Sequence, residues 1–196
     1  MNKDGTEDLR IRRTKRAIRE SLFELMEAKG FEHISVKDIT DGAMISRNTF
    51  YLHYSDKYDL LDKICDEMMR SLFFRIGKQV RRVQKTQATI ENVAEIILHG
   101  IRAVESEREA YRILFSSSSA DILNEKIAGV VNRMIDLCEM EVGEIDRLSR
   151  TYIVSGLIGV TRFYALNKID NIEEKCKLFT ALHLGKIIEL LNSREY

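Results

Sequence analysis

A short polar segment in the first third of the chain, residues 46–54, carries side chains suited to base recognition. Arg47 can donate hydrogen bonds to both O6 and N7 of guanine, and Asn48 can pair with adenine. Leu52, or the methyl group of Thr49, can contact the methyl group of thymine. A helix that presents such groups at its N-terminal end meets the mechanical requirement for entering the major groove of duplex DNA.

Two predicted helices precede this segment and position it. The first ends at Lys29-Gly30, where a cation and a glycine follow the last turn. The second begins at Ser35, which can form a capping box with Asp38, and it runs to about Ala43. Their apolar stripes are Ile18, Leu22, Leu25 and Met26 in the first helix, and Val36, Ile39 and Ala43 in the second.

The third predicted helix, residues 47–53, follows the N-cap candidate Ser46 and has two dissimilar faces. Phe50 and Tyr54 are four residues apart and are expected to face the first two helices. Asn48, Tyr51 and Leu52 are expected to point largely the other way. Simple packing is the favoured role for Tyr54, and it remains the alternative for Tyr51.

Helical periodicity continues to the end of the sequence. A long fourth helix, from Lys57 to about Val83, can be capped by Ser55 or Asp56, and a joint is expected at 86–89. Gly143 is expected to end a later helix. Further helices are predicted at about 90–105, 107–116, 120–142, 146–167 and 172–193. The prediction is an all-α fold of about nine helices, with a three-helix DNA-binding head containing the helix-turn-helix (1–55) and a helical regulatory and dimerisation body (56–196).

The composition fits this architecture. The 196 residues are 44% hydrophobic and 32% charged, and they include no proline, as expected of a globular chain of long helices. The net charge is zero, but residues 1–85 hold 18 Lys and Arg against 14 Asp and Glu, whereas 86–196 hold 13 against 17. Two stretches, 9–19 and 70–85, are basic and free of acids. The alternative for both is a solvated helix face.

The segment Ile34 to Tyr54, ISVKDITDGAMISRNTFYLHY followed by SDKYDLL, resembles the signature of the TetR family of regulators. The resemblance covers residues 10–65. It implies that Arg47, Asn48, Thr49 and Leu52 face the bases or the groove, and that phosphates are held by Tyr51, His53 and Lys57. Lys57 and the free amides of the fourth helix's first turn would form an anion site. Members often have a glycine where this chain has Met44, so the turn conformation is open.

The body resembles the family more loosely, through Ser155-Gly156-Leu157-Ile158-Gly159. This pattern implies a dimer interface in the last two helices, where glycines let a second helix approach closely; the alternative is a tight contact within the chain. The predicted interface residues are Val154, Gly156, Leu157, Gly159 and Val160. Candidates to line an effector cavity are Ile97, Ile101, Tyr111, Phe115, Met134 and Cys138, for which plain core packing is the alternative.

These features favour a homodimeric, cytoplasmic repressor that binds a palindromic operator and is released by a small apolar effector. The rival is an architectural or adaptor protein whose body binds a protein and no effector. An enzyme ranks lowest, because glycine-rich phosphate loops, GxSxG, HExxH and clustered carboxylates are all missing from the sequence. The scattered cysteines and histidines indicate no metal site, and no cofactor is expected. The longest apolar run, 152–160, is too short to span a bilayer.

Overall fold

The protein is all-helical over the residues that the computed structural model describes, which are 4–83, 88–138 and 147–192. A single 3₁₀ turn, Phe31–His33, separates the first two of the helices. In chain order the helices are α1 Asp4–Lys29, α2 Val36–Gly42, α3 Arg47–Tyr51, α4 Lys57–Val83, α5 Ile90–Ser106, α6 Arg108–Ser116, α7 Ala120–Cys138, α8 Arg147–Leu166 and α9 Ile172–Asn192.

Helices α1 to α3 form a small head around a core supplied by their apolar stripes. Gly30 follows α1 with a φ of 75°, a backbone conformation that residues with a Cβ atom adopt less readily than glycine. Phe50 is completely buried and Tyr54 almost so, which confirms the predicted inward face of α3. Burial raises the pKa of the Tyr54 phenol to about 12, so this group stays neutral.

Helix α4 connects the head to the body. Asp56 caps its first turn, because Oδ1 accepts hydrogen bonds from the backbone N–H groups of Tyr58 and Asp59, both at 2.8 Å. The buried stripe of α4 extends from Leu60 to Val83 along its whole length. Its residues join the head core and the body core into one continuous apolar cluster.

The body is a helical bundle in which α5 packs between α4 and α9, and α7 packs on α4 and α8. Helix α6 lies against α8 on one side and reaches α1 on the other. The predicted boundaries of these helices agree with the structure within a few residues, except that α7 is described only to Cys138. The prediction for Gly143 and the first half of the predicted joint, residues 86 and 87, lie outside the described residues.

Polar contacts tie α1 and the following turn to the α6 region. Arg19 forms an ion pair with Glu107 at 2.9 Å, and both side chains are partly buried. Arg112 forms an ion pair with Glu27. The Ser118 hydroxyl donates a hydrogen bond to Glu32 at 3.1 Å. The head therefore contacts the body through α6 and its flanking residues as well as through α4.

Cysteine and other potential metal-ligating side chains are scattered in the described residues. Cys65 and Cys176 are buried free thiols, and burial raises their pKa values to about 12 and about 11. Both thiols therefore remain protonated. The described ranges bring together no group of three or more metal-ligating side chains. Over the same ranges, no helix has the length and apolar character required to cross a membrane.

Candidate nucleic-acid interface

The helix-turn-helix is held by two local caps, both of which the sequence predicted. The Ser35 side chain accepts from the backbone N–H of Asp38 at 3.2 Å, while Asp38 accepts from the backbone N–H of Ser35 at 2.8 Å. Hydrogen bonds from Ser35, followed by that from Lys29, hold the pKa of Asp38 well below its usual range. Ser46 accepts from the backbone N–H of Thr49 at 3.1 Å and fixes the start of α3.

The turn between α2 and α3 places Met44 at φ 53°, in the left-handed region. Its side chain is 91% exposed, so no packing within the chain compensates for this backbone conformation. The turn is closed by a hydrogen bond from the backbone N–H of Ile45 to the carbonyl of Thr40 at 3.0 Å. Met44 thus occupies the conformation that glycine would adopt more readily.

Gly42 is required for a different reason, namely a close approach between α2 and α1. A Cβ atom at this position would lie 2.4 Å from the Oγ atom of Ser21. Ser21 is buried, and its hydroxyl donates to the carbonyl of Ile39 at 3.0 Å. The glycine near the turn is therefore a packing requirement, and the positive φ falls on Met44.

The outer face of α3 is exposed in the way that groove binding requires. Arg47 and Asn48 are exposed at its N-terminal end, where a helix reaches base edges. Tyr51 is 55% and Leu52 80% exposed, although large apolar side chains usually avoid water. Thr49 is half-buried. The outward orientation predicted for Asn48, Tyr51 and Leu52 is confirmed.

Lys57 makes contacts within the chain that sequence reasoning did not anticipate. Its ammonium group donates to the backbone carbonyls of Phe31 and Glu32, both at 3.0 Å, and lies over the Phe31 ring. The expectation of free amides beside it was wrong for Tyr58 and Asp59, because Asp56 already accepts from both. One ammonium proton of Lys57 is left, so its contact with phosphate stays a prediction.

His53 lies half-buried beside α3, among cations. Burial, followed by the charges of Lys15 and Lys63, lowers its pKa below the ordinary value. Near neutral pH the imidazole is therefore uncharged in the free protein and can donate one hydrogen bond. Exposed arginines and lysines of α1, in the basic stretch 9–19, extend the positive surface from this point.

An apolar cavity lies in the body between α5, α7, α8 and α9. Its interior has about 110 Å³ of space that a water molecule can reach. Ile97 and Met134 line it, as the sequence suggested. Ile101, Tyr111 and Phe115 are buried but are absent from this lining, and the side chain of Cys138 lies outside the described residues. Two of the six candidate pocket residues therefore lie at this cavity, and their contact with an effector stays a prediction.

Glycines 156 and 159 face open space. A Cβ atom at either position would have no neighbour within 4 Å among the described residues, so the alternative of a tight contact with them is wrong. Val154 and Val160 are half-buried against the core, and Leu157 lines the apolar cavity. The exposed residues of this face went unnoticed in the sequence, although helical spacing connects those of α8. They are Leu148, Tyr152, Phe163 and Leu166 on α8, with Leu178 and Leu182 on α9.

Residues 18–64, from α1 through the start of α4, match the family model described as bacterial regulatory proteins, tetR family. The helix-turn-helix region of this chain is therefore similar to that of the tetR family. A curated relative is YxbF of Bacillus subtilis (strain 168), an uncharacterized HTH-type transcriptional regulator. The two are 31% identical over 55 residues, which is 28% of this chain and 14% of YxbF. The matched region thus spans only a small part of YxbF.

Solved structures share the fold of the chain over most of its length. The fatty acid degradation regulator FadR from Bacillus halodurans is 19% identical, with a TM-score of 0.63 over 88% of this chain and 95% of that one. FadR from Bacillus subtilis, solved in complex with stearoyl-CoA, is 18% identical, with a TM-score of 0.57 over 85% and 97%. The head and the helical body are therefore arranged as in these regulators.

Proposed function

We propose that this chain is a sequence-specific transcription regulator that inserts α3 into the major groove of duplex DNA. One observation carries the proposal. Helix α3 buries Phe50 in the head core while it leaves Arg47, Asn48, Tyr51 and Leu52 uncovered on a single outer face. Base-edge donors and methyl contacts on one exposed helix face are the elements of direct readout.

Selection of duplexes from a random pool by the purified protein tests this proposal. The expected result is an enriched motif, and Asn48→Ala should change which bases are enriched. Lys78→Ala, on an exposed part of α4 in the body, is the matched control and should leave the motif unchanged. Failure to enrich any motif would contradict sequence-specific binding.

We further propose that the regulator is a homodimer joined through α8 and α9 and bound to a palindromic operator. The support is the exposed apolar face around Gly156 and Gly159, which no part of the described chain covers. A surface of this kind on two neighbouring helices is typical of protein interfaces. Two-fold symmetry would place two copies of α3 about 34–36 Å apart, one turn of the duplex.

The apolar cavity supports the hypothesis that a small apolar effector binds in the body. An effector of this kind is part of the repressor interpretation. The adaptor alternative expects a body without a cavity. This body has one, lined by side chains such as Ile97, Met134 and Leu184. FadR from Bacillus subtilis, which has the same fold, was solved with stearoyl-CoA. In our proposal, binding in this cavity changes the spacing of the heads and releases the operator.

A series of straight-chain alcohols provides the test of the cavity. Affinity is expected to rise by about 0.8 kcal/mol per buried CH₂ group and then to stop rising when the cavity is full. Ile97→Phe should make this plateau appear at a shorter chain length, because the larger ring occupies part of the space. Calorimetric titration gives the affinities. If no alcohol binds the parent protein, the adaptor alternative is the better account.

A further inference from the structure

A second concave site lies between α4 and α7, away from the surfaces assigned above. It is an open groove of about 640 Å³. None of its lining residues is shared with the apolar cavity. The groove contains part of the basic stretch 70–85, which the DNA-binding proposal does not use because these residues belong to the body half of α4.

Three guanidinium groups line this groove, from Arg70 and Arg81 of α4 and Arg133 of α7. Across the described ranges, none of them has a carboxylate within ion-pair distance. Lys126, also in the lining, is neutralised by Asp62 and Asp66, with both Nζ to Oδ1 distances 2.7 Å. Glu125 is the other lining acid, so the groove carries an excess of positive charge.

Two glycines keep the groove open. Within the described part of the chain, a Cβ atom on Gly129 would meet nothing within 4 Å, and one on Gly77 would meet only the tip of Arg81 at 3.7 Å. Packing within the chain therefore does not require glycine at either position, although glycine weakens a helix relative to alanine. Side chains at these two positions would project into the space between the helices and fill it.

Aromatic rings border the same space. Phe74 is 84% exposed, which is unusual for a large apolar side chain. The guanidinium group of Arg133 lies over the ring of the neighbouring Phe73, 4.7 Å from the ring centroid. An exposed ring beside stacked and unpaired guanidinium groups offers both a flat apolar surface and charge-assisted donors.

We propose that this groove binds a small anion that carries a planar aromatic ring. The arginines hold its phosphate or carboxylate through paired N–H donors, a geometry that guanidinium groups match well. The ring stacks on Phe74 and occupies the space that Gly77 and Gly129 leave free. A nucleotide and an aromatic carboxylic acid share this chemistry. The site is independent of the DNA-binding surface and of the apolar cavity.

Calorimetric titration of the full chain with ADP and with 1-naphthoate tests the proposal and distinguishes the two sources. At least one probe should bind with a stoichiometry of one per chain. The double variant Arg70→Gln/Arg81→Gln should weaken that binding at least tenfold. Gly129→Leu should weaken it to a similar extent by filling the groove, and thermal melting will show that this exposed substitution leaves the fold intact.

The matched control is Arg75→Gln/Lys78→Gln, which removes the same charge from exposed positions of α4 outside the groove. It should change the affinity by less than twofold. Binding of neither probe would overturn the proposal. So would equal weakening by the two double variants, since that result would show a response to overall charge, and so would an unchanged affinity in Gly129→Leu.

Discussion

At the scale of single residues, the groove-facing side chains were predictable because their orientation depends on local structure. Ser46 and the four-residue spacing of Phe50 and Tyr54 determine where α3 begins and which side it buries. The contacts of Lys57 were not predictable in the same way. Its carbonyl acceptors at Phe31 and Glu32 lie 26 and 25 residues earlier in the sequence and come close to it only in the folded head.

Arg47 and Lys57 are expected to respond differently to truncation. Arg47→Ala should cost roughly 1–3 kcal/mol of binding and relax the preference at one base pair, since it removes a base-edge contact. Lys57→Ala should weaken all sequences alike and lower the salt slope by about one, because it removes a phosphate contact. Titrations at several salt concentrations measure both. An altered base preference in Lys57→Ala, with an unchanged salt slope, would contradict the phosphate role.

The depressed pKa of His53 predicts a pH dependence of DNA binding. A phosphate near the ring stabilises the charged imidazolium, so the pKa of His53 should be higher in the complex than in the free protein. Affinity should therefore rise as the pH falls through the pKa of the complex, and level off below that of the free protein. The gain is about tenfold for every unit by which the two values differ. Fluorescence anisotropy from pH 8 to about pH 5 measures it.

His53→Gln is the control for this titration. Glutamine keeps a hydrogen-bond donor but cannot take up a proton, so the slope in this range should disappear. A parent protein and variant with the same pH profile would show that His53 does not contact the phosphate.

At the scale of helices, most boundaries followed from periodicity and caps, whereas the requirement for Gly42 did not. The capping box at Ser35 and the apolar stripe of α4 are readable within a few residues of sequence. The demand on Gly42 comes from Ser21, on another helix, and only the packed structure shows it. The close approach of two helices depends on pairs of residues that are distant in sequence, and a single sequence does not show which residues form such pairs.

Gly42→Ala should destabilise the head by roughly 1–3 kcal/mol, because the added methyl group overlaps the Ser21 hydroxyl. Ser21→Ala removes that obstacle. The carbonyl of Ile39 would keep its hydrogen bond from the backbone N–H of Ala43, at 2.9 Å. The double variant should therefore recover most of the loss, and denaturant unfolding of the four proteins measures the coupling. Additive effects would show that the two positions are not in contact.

At the scale of the whole molecule, the exposed face of α8 and α9 predicts the effect of a bulky side chain at its centre. Gly159→Leu should push the two copies apart and shift the protein towards monomer. Since one head reads only half of a palindrome, affinity for the full operator should fall far more than affinity for a half-site. Sedimentation and anisotropy measure the two effects.

Gly129→Leu is the matched control, because Gly129 is also an open helical glycine but lies on α7, away from this face. It should sediment like the parent protein. A Gly159→Leu variant that stays dimeric with normal operator binding would move the interface to another surface.

The two attachments of the head also determine how it can move. Helix α4 joins head and body through the backbone, while the ion pairs of Arg19 with Glu107 and of Arg112 with Glu27 connect α1 to α6 and the residue before it. Rotation of the head about the long axis of α4 would separate the atoms of these ion pairs, so the pairs oppose it. Bending of α4 is then expected to be the easier motion. The head is therefore expected to move mainly by bending of α4. The distance between the two heads of a dimer would then change more than the angle at which each head faces the DNA.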